Sequence, residues 1–223
     1  MRSYGQYCSL AKALDVVGDR WTLLIFRELL TQGPCRYTDL KDGLPGIATN
    51  LLADRLRELE QAGLIRREEA APPVATTLFH LTADGAALEP ALEALGGWGL
   101  RFMTAPNDDE EFRSQWFTFP VSLFAADHEP DAPPVVIELH ATSPGSAARP
   151  ERPAVIEVGG GEVHTRLGTA AAPDLVLTGN PQLILGLLAG RLSLEQARER
   201  GLGTDGNIAV LDRVRPLSAA PAF

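Results

Sequence analysis

Residues 49–64 read TNLLADRLRELEQAGL, and this stretch decides the fold of the first half of the chain. Leu52, Leu56 and Leu59 recur at intervals of three or four residues, which predicts an amphipathic helix with one face packed into a core. A different face of the same helix carries residues that are free to meet a partner: Asn50, Ala53 and Arg57.

The residues at both ends of this stretch predict where the helix begins and ends. Pro45-Gly46 supplies a tight turn before it, and Thr49 is the predicted N-cap, with a hydroxyl that can accept a free backbone N–H. Gly63 is typical of the residue that ends a helix in a left-handed conformation.

A β-hairpin is predicted directly after the helix. Residues 64–67 and 76–81 have strand character, and the loop between them contains Pro72-Pro73, which cannot continue a ladder. Helices followed by such a hairpin are typical of a winged helix-turn-helix, whose second helix enters the DNA major groove. From Thr82 onward an apolar stripe predicts a further helix, of a kind that often pairs with a two-fold mate: Leu88, Leu92, Leu95 and Trp98.

The region from Cys8 to Trp98 resembles the HxlR-type winged helix-turn-helix regulators of bacteria and archaea, within the MarR-like superfamily. Separate blocks carry the resemblance in order: LDVVGDRWTLLI at 14–25, Arg36-Tyr37, LPGI at 44–47, Arg55-Leu56, Leu59-Glu60, Gly63-Leu64, Pro72-Pro73, Leu81-Thr82, Gly85 and Trp98-Gly99. The resemblance implies a homodimer that binds two half-sites of double-stranded operator DNA through the helix at 49–61 and through the wing.

Individual DNA contacts are expected from two sets of residues. Contacts inside the groove are expected from Thr49, Asn50, Ala53 and Arg57. Contacts to the DNA backbone are expected from Arg36, Tyr37, Lys41, Arg55 and Arg66. The wing departs from the family pattern, because Glu68-Glu69 is acidic and Val74-Ala75 stands where a basic residue would grip phosphate.

The charge of the chain bears on this hypothesis. Of the formal net charge of −9, residues 1–104 carry 11 Lys+Arg against 13 Asp+Glu, a net of −2. Residues 105–223 carry 9 against 16, a net of −7. Because phosphate neutralisation dominates DNA affinity, this balance predicts modest non-specific affinity with a shallow dependence on salt.

Composition changes after residue 104, which predicts a winged domain at 1–104, a linker at 105–115 and a second domain at 116–223. Strands are expected at 116–125, 134–141, 154–158, 162–167 and 174–178, with a hairpin turn at Gly159-Gly160-Gly161. Helices are expected at 181–189, at 193–200 with Ser193 as cap, and at 207–215.

The second domain resembles the sterol carrier protein 2 (SCP-2)-like domain in PDLVLTGN at 173–180, LLAGRLS at 187–193 and GTDGN at 203–207. The resemblance implies an α+β fold in which helices cover one side of a mixed sheet and enclose an apolar tunnel for a lipid-like molecule. The candidate lining residues would equally well fill an ordinary core: Trp116, Phe117, Phe119, Leu123, Phe124, Leu183, Leu187 and Leu211.

Other chemical signals are weak. Gly201–Gly206 matches G-x-G-x-x-G, but a helix is predicted before it where a dinucleotide site needs a strand, so these glycines are interpreted as helix caps. The four histidines lack ligand spacing, and no catalytic triad signature is present, so neither an enzyme nor a metal or cofactor is expected. Cys8, with Lys12 one turn later, is a candidate redox sensor, whereas Cys35 is interpreted as structural.

These features favour a cytoplasmic, homodimeric repressor that is modulated by a small apolar effector, since neither a signal peptide nor a membrane-spanning run is seen. The alternative is a carrier of lipid-like ligands, or an accessory protein, that uses its winged domain for protein association. In a third interpretation the second domain has lost any pocket and is purely structural.

Overall fold

The computed structural model describes residues 3–71, 76–102, 111–142 and 152–216, without the side chains of Pro120, Ser122 and Leu123. The chain divides into two compact units, Met1–Ala94 and Leu95–Phe223, and the division falls inside the helix Glu89–Gly99. Each unit has its own sheet, with three strands in the first and five in the second.

The first unit is a winged helix-turn-helix. Its helices are α1 (Ser9–Val17), α2 (Thr22–Gln32), α3 (Tyr37–Gly43), α4 (Thr49–Gln61), α5 (Ala83–Ala86) and the first part of α6 (Glu89–Gly99). Its strands are β1 (Cys35–Arg36), β2 (Ile65–Glu69) and β3 (Thr77–Leu81). They form an antiparallel sheet in the order β1-β3-β2, so the predicted hairpin is confirmed and gains a short third strand.

Helix α4 packs as its apolar spacing predicts. Leu52, Leu56 and Leu59 are all at most 2% exposed and belong to the core of the first unit. The predicted cap is wrong by one residue: Ala48 has the extended N-cap conformation, without a side-chain bond, and Thr49 is already helical. The predicted stop is confirmed, since Gly63 has φ +73° and its N–H donates to the carbonyl of Glu60.

The second unit has a mixed sheet with helices on one face. Its strands are β4 (Val135–Ala141), β5 (Ala154–Gly159), β6 (Glu162–Leu167), β7 (Leu175–Gly179) and β8 (Gly203–Gly206), in the order β6-β5-β4-β7-β8. Only the pairing of β4 with β7 is parallel among these strands. Its helices after residue 102 are α7 (Thr118–Phe124), α8 (Pro181–Leu188), α9 (Leu194–Glu199) and α10 (Val210–Val214).

Most of the predicted elements of this unit are confirmed. The hairpin of β5 and β6 turns at Gly160 and Gly161, which have φ +63° and +86°. Ser193 caps α9 in a reciprocal box: its hydroxyl accepts the N–H of Gln196 at 3.1 Å, and its own N–H donates to the Gln196 side chain at 3.0 Å.

The predicted strand at 116–125 is wrong. Ser114–Phe117 is a 3₁₀ helix that leads directly into α7. Phe117 and Val121, four residues apart, are both buried in the core, which is helical and not strand spacing. The Thr118 hydroxyl donates to the carbonyl of Gln115 at 2.7 Å across the junction. The aromatic composition favoured a strand, but the buried positions repeat with a helical period.

The glycines at 201–206 do more than cap a helix. Gly203–Gly206 forms β8, which pairs with β7. At Gly206 a Cβ atom would lie 2.3 Å from the Asp174 carbonyl oxygen, and φ is +102°. Glycine therefore lets the backbone of β8 approach β7 closely, and the interpretation of these residues as caps alone is corrected.

Candidate nucleic-acid interface

The outward face of α4 carries the predicted groove residues. Thr49, Asn50 and Arg57 are exposed, and Ala53 is half-buried. The opposite face is fixed in the core by three leucines, so the exposed side chains stand on a rigid helix. Rigid presentation of a few polar side chains is what reading of base edges requires.

The turn between α3 and α4 is held by two of the residues predicted to contact DNA. The Tyr37 hydroxyl donates to the Thr49 carbonyl at 2.7 Å, and the Lys41 ammonium donates to the Ile47 carbonyl. Both side chains lie in half-buried residues. The first bond joins the start of α3 to the start of α4, and the second joins the last turn of α3 to the loop before α4. Together they fix the angle of the helix pair. Arg36, at the entry to α3, is exposed, and its backbone N–H donates to the Asp39 carboxylate at 2.9 Å.

Arg55 is directed toward the protein. Its guanidinium forms ion pairs with Asp19 and with Glu58, the latter at 2.5 Å, and its side chain is 20% exposed. Asp19 thus contacts Arg55 of α4 and lies outside that helix in the chain. The pair therefore connects α4 to the segment that precedes α2.

Three other arginines around α4 and the wing are paired with carboxylates. Arg57 contacts Asp54 at 2.8 Å, one turn earlier on α4. Arg66 contacts Glu68 at 2.7 Å along β2. Arg67 contacts Glu60 at 2.7 Å, which joins β2 to α4. Most of the predicted positive surface is thus neutralised by neighbouring side chains.

The wing adds a histidine to this arrangement. His80 of β3 lies opposite Arg66 of β2, and its Nε2 atom is 3.3 Å from the Glu68 carboxylate. The Arg66 hydrogen bond and the nearby His80 hold the pKa of Glu68 below its usual range, so this carboxylate is ionised at neutral pH. Residues 72–75, including Val74 and Ala75, lie outside the described residues.

The carboxylate partners of these arginines were not among the predicted site residues. Asp54 lies three residues before Arg57 on one helix, a spacing that brings side chains together, and this signal was available in the sequence. Arg67 and Glu60 lie on different elements, so only the tertiary fold reveals their contact.

The two cysteines differ in environment. Cys8 is exposed at the N-cap of α1. Lys12, which was expected to favour its thiolate, lies with its ammonium 3.7 Å from the Asp15 carboxylate. Cys35 is buried, and burial raises the pKa of its thiol to about 12, with Asp39 and Glu28 adding to the shift. Its thiol faces the Gly33 carbonyl at 3.3 Å, so Cys35 stays protonated.

The predicted pocket residues of the second unit fall into two groups. Phe117, Leu187 and Leu211 belong to its buried hydrophobic core, against which Phe124 and Leu183 pack. Trp116 and Phe119 are half-buried. The side chain of Leu123 lies outside the described residues. The burial of Phe117, Leu187 and Leu211 fits both interpretations, a solid hydrophobic core and the wall of a ligand cavity.

Two further searches were confined to the described ranges. Within residues 3–71, 76–102, 111–142 and 152–216, no group of three or more His, Cys, Asp and Glu side chains is placed to hold a metal ion. The helices in the same ranges are all too short or too polar to cross a membrane.

Known proteins match the first unit. Residues 16–107 match the family model described as the HxlR-like helix-turn-helix. The uncharacterized HTH-type transcriptional regulator sll1512 of Synechocystis sp. is 35% identical over 91 residues, which are 41% of this chain and 67% of that protein. The HTH-type transcriptional regulator YodB of Bacillus subtilis is 30% identical over 93 residues, 42% of this chain and 82% of that protein. The solved structure of reduced YodB superposes with a TM-score of 0.39 and 28% identity, over 46% of this chain and all of that one. On the strength of these sequence matches, the chain belongs to the HxlR-like helix-turn-helix family.

Proposed function

We propose that this protein is a cytoplasmic transcriptional regulator that binds operator DNA as a homodimer and acts as a repressor. The observation that carries the proposal is α4, with three leucines anchored in the core and Thr49, Asn50 and Arg57 exposed on the other side. The relatives named HTH-type transcriptional regulators support the same function. We retain the functional division into a DNA-binding domain at 1–104, a linker at 105–115 and a second domain at 116–223.

Dimerisation is supported by apolar side chains that the single chain leaves exposed. In the first unit they cluster on the N-terminal segment and α1: Tyr4, Tyr7, Leu10 and Leu14. At the start of the second unit they lie at helical spacing: Leu95, Trp98 and Phe102. Large apolar side chains exposed in such numbers are typical of interaction sites. A two-fold dimer would place two copies of α4 about 34 Å apart, one turn of the duplex, to read two half-sites.

Gel-shift titration tests the DNA-binding proposal. The purified protein is titrated against the region upstream of its own gene and against a scrambled duplex of equal length. We expect a specific shift with the upstream DNA, weakened about tenfold by Asn50→Ala, because a base contact contributes roughly 1–3 kcal/mol, and weakened also by Arg57→Ala, which removes a positive charge from the face that meets DNA. Arg200→Ala, on an exposed residue of the second unit, is the matched control for loss of charge. Equal retention of both duplexes would contradict sequence-specific binding.

The second unit is proposed to be an SCP-2-like domain that binds a small apolar effector. A mixed sheet with helices on one face, and a core that contains Phe117, Leu187 and Leu211, supports this proposal. Effector binding would change the spacing or angle of the two recognition helices, and a ligand shifts that equilibrium only by its differential affinity. The test is to add an organic extract of the producing cell to the gel shift, and to identify any retained compound by mass spectrometry.

Two outcomes would redirect the proposal. Release of DNA by an oxidant, but not by the extract, would place the sensor at Cys8, which is the exposed cysteine. The absence of a shift at low salt would favour the carrier or accessory protein, in which the winged unit associates with another protein.

A further inference from the structure

The arginines of the candidate DNA-binding face are already occupied by carboxylates of the same face. Arg57 and Asp54 are both more than half exposed and 2.8 Å apart. Arg66 and Glu68 are 2.7 Å apart, with at least half of each side chain exposed. Bonds between guanidinium and carboxylate have the geometry that guanidinium also adopts with phosphate.

We propose that Asp54 and Glu68 act as intramolecular substitutes for DNA phosphates, so that DNA phosphates must displace them from Arg57 and Arg66. Arg57, which the sequence placed inside the groove, then contacts a phosphate at the edge of the groove and not a base. This inference rests on the proposed DNA-binding function and adds two residues that set its affinity. It concerns exposed pairs, which contribute little to the stability of the fold and are free to exchange.

The placement of these pairs distinguishes them from the structural ion pairs nearby. Arg55 is mostly buried and connects α4 to Asp19, and Arg67 connects β2 to Glu60 on α4 while its guanidinium lies 5.8 Å from the centre of the Phe79 ring. Arg57 and Asp54 lie within one turn of α4, and Arg66 and Glu68 lie within β2. Neither of the two arginine–carboxylate bonds joins separate elements, although Glu68 also lies 3.3 Å from Nε2 of His80 on β3.

The exchange predicts an unusual dependence of DNA binding on salt. Each phosphate that an arginine newly neutralises adds about −0.9 to the slope of log K against log salt. In this protein salt also weakens the internal pair that competes with the phosphate, so the slope contributed by Arg57 and Arg66 is reduced. Removing Asp54 and Glu68 leaves both arginines free, and the slope should become steeper by up to about 1.8, the limit in which the internal pairs cancel the whole contribution of both arginines.

The gain should not depend on DNA sequence. Phosphates carry no base information, so freeing two phosphate-binding arginines raises affinity equally for operator and scrambled DNA. The ratio of the two affinities stays the same. A constant ratio therefore indicates that a phosphate substitute has been lost, whereas a changed ratio would indicate altered base contacts by Asn50 or Thr49.

The experiment compares the full-length wild-type chain with Asp54→Asn combined with Glu68→Gln. Dissociation constants are measured by fluorescence anisotropy at 50 and 200 mM salt, with the upstream duplex and with its scrambled counterpart. The dissociation constant at 200 mM salt divided by that at 50 mM should be larger for the variant than for wild type, by up to about twelvefold, which is a fourfold salt change raised to the power 1.8. Asp131→Asn combined with Glu199→Gln removes two exposed carboxylates of the second unit and is the charge-matched control.

A steeper slope and tighter binding to both duplexes, seen only in the first variant, would support the inference. An unchanged slope, or the same change in the control variant, would overturn it while leaving the proposed function intact. If wild type and variant both fail to bind any DNA at 50 mM salt, the proposed function is wrong and this inference falls with it. Circular dichroism of both variants verifies that each chain is folded.

Discussion

Replacing Gly43 with alanine is expected to destabilise the first unit, because the last residue of α3 faces a buried carboxylate. A Cβ atom at position 43 would lie 2.1 Å from Oε2 of Glu28, where ordinary contact begins at 3.4 Å. Glu28 is fully buried and accepts hydrogen bonds from Arg27 at 2.6 Å and from Gln32 at 2.6 Å. To make room the carboxylate must retreat by about 1.3 Å, which breaks its bond with Gln32.

The magnitude follows from the loss of partners around a buried charge. Separation of a buried ion from its partner costs roughly 3–5 kcal/mol, and a carboxylate that keeps part of its contacts loses less. Alanine recovers at most about 1 kcal/mol through its helix propensity. We therefore expect Gly43→Ala to lower the free energy of unfolding of the first unit by about 2 kcal/mol.

Hydrogen exchange of the α2 and α3 peptides at increasing urea concentrations, read by mass spectrometry, reports the stability of the first unit within the whole chain. Gly97→Ala is the control, since a Cβ at that helical position meets no atom within 4 Å. In a Glu28→Ala background the cost of Gly43→Ala should disappear. A loss below about 0.5 kcal/mol, or an equal loss in both backgrounds, would refute the reasoning.

Three further predictions concern the second unit and the thiols. Gly206→Ala should destabilise the second unit by roughly 2 kcal/mol in urea unfolding, because residue 206 has φ +102° and its Cβ would lie 2.3 Å from the Asp174 carbonyl oxygen. Gly203→Ala should be tolerated, because the nearest atom to its Cβ lies 3.4 Å away. The Arg213 guanidinium, bonded to Asp127 at 2.7 Å, holds the pKa of that carboxyl well below its usual range. Asp127 thus stabilises the fold above its unfolded pKa of about 3.9, and this stabilisation is lost as pH falls through the lower folded pKa. Asp127→Asn should therefore make the free energy of unfolding fall less steeply between pH 5 and 2. A fall as steep as that of the Asp131→Asn variant would contradict this expectation. Ellman's reagent should modify one thiol in the native protein and a second only after unfolding, because Cys8 is exposed and burial raises the pKa of Cys35 to about 12; rapid loss of both thiols would be inconsistent with this structure.

Where apolar residues recur at a regular spacing, the sequence alone predicts the helix or strand and the face that it buries. The leucines of α4 and the alternating strands of the second unit are examples, because burial of one face fixes both the element and its orientation. The region at 116–125 was predicted wrongly since its aromatic residues suit a strand, while the burial of Phe117 and Val121 follows from packing against the second sheet. Strand β8 was missed because glycines have low strand propensity and are selected here by close backbone approach.

The sequence predicts which residues form the candidate DNA-binding face, but it does not predict which carboxylates pair with the arginines of that face. The spacing of Asn50, Ala53 and Arg57 relative to the leucines places them on one face, as found. Arg55 forms an ion pair with Asp19, which lies 36 positions earlier in the chain, so no local sequence pattern predicts this pair. Charge counts alone therefore overestimate how much positive surface the face offers to DNA.

The parallel pairing of β4 with β7 has a consequence for synthesis on the ribosome. Strand β4 spans residues 135–141, yet its parallel neighbour β7 begins only at residue 175, and β8 completes the sheet at 203–206. The winged unit, built from contacts within the first 94 residues, can fold while the rest of the chain is still being translated. One edge of β4 must wait for about 34 more residues, and at roughly 5–20 residues per second that takes several seconds. During this interval one edge of an apolar strand stays unpaired while the winged unit is already folded, so chaperone demand should centre on nascent chains that end between β4 and β7.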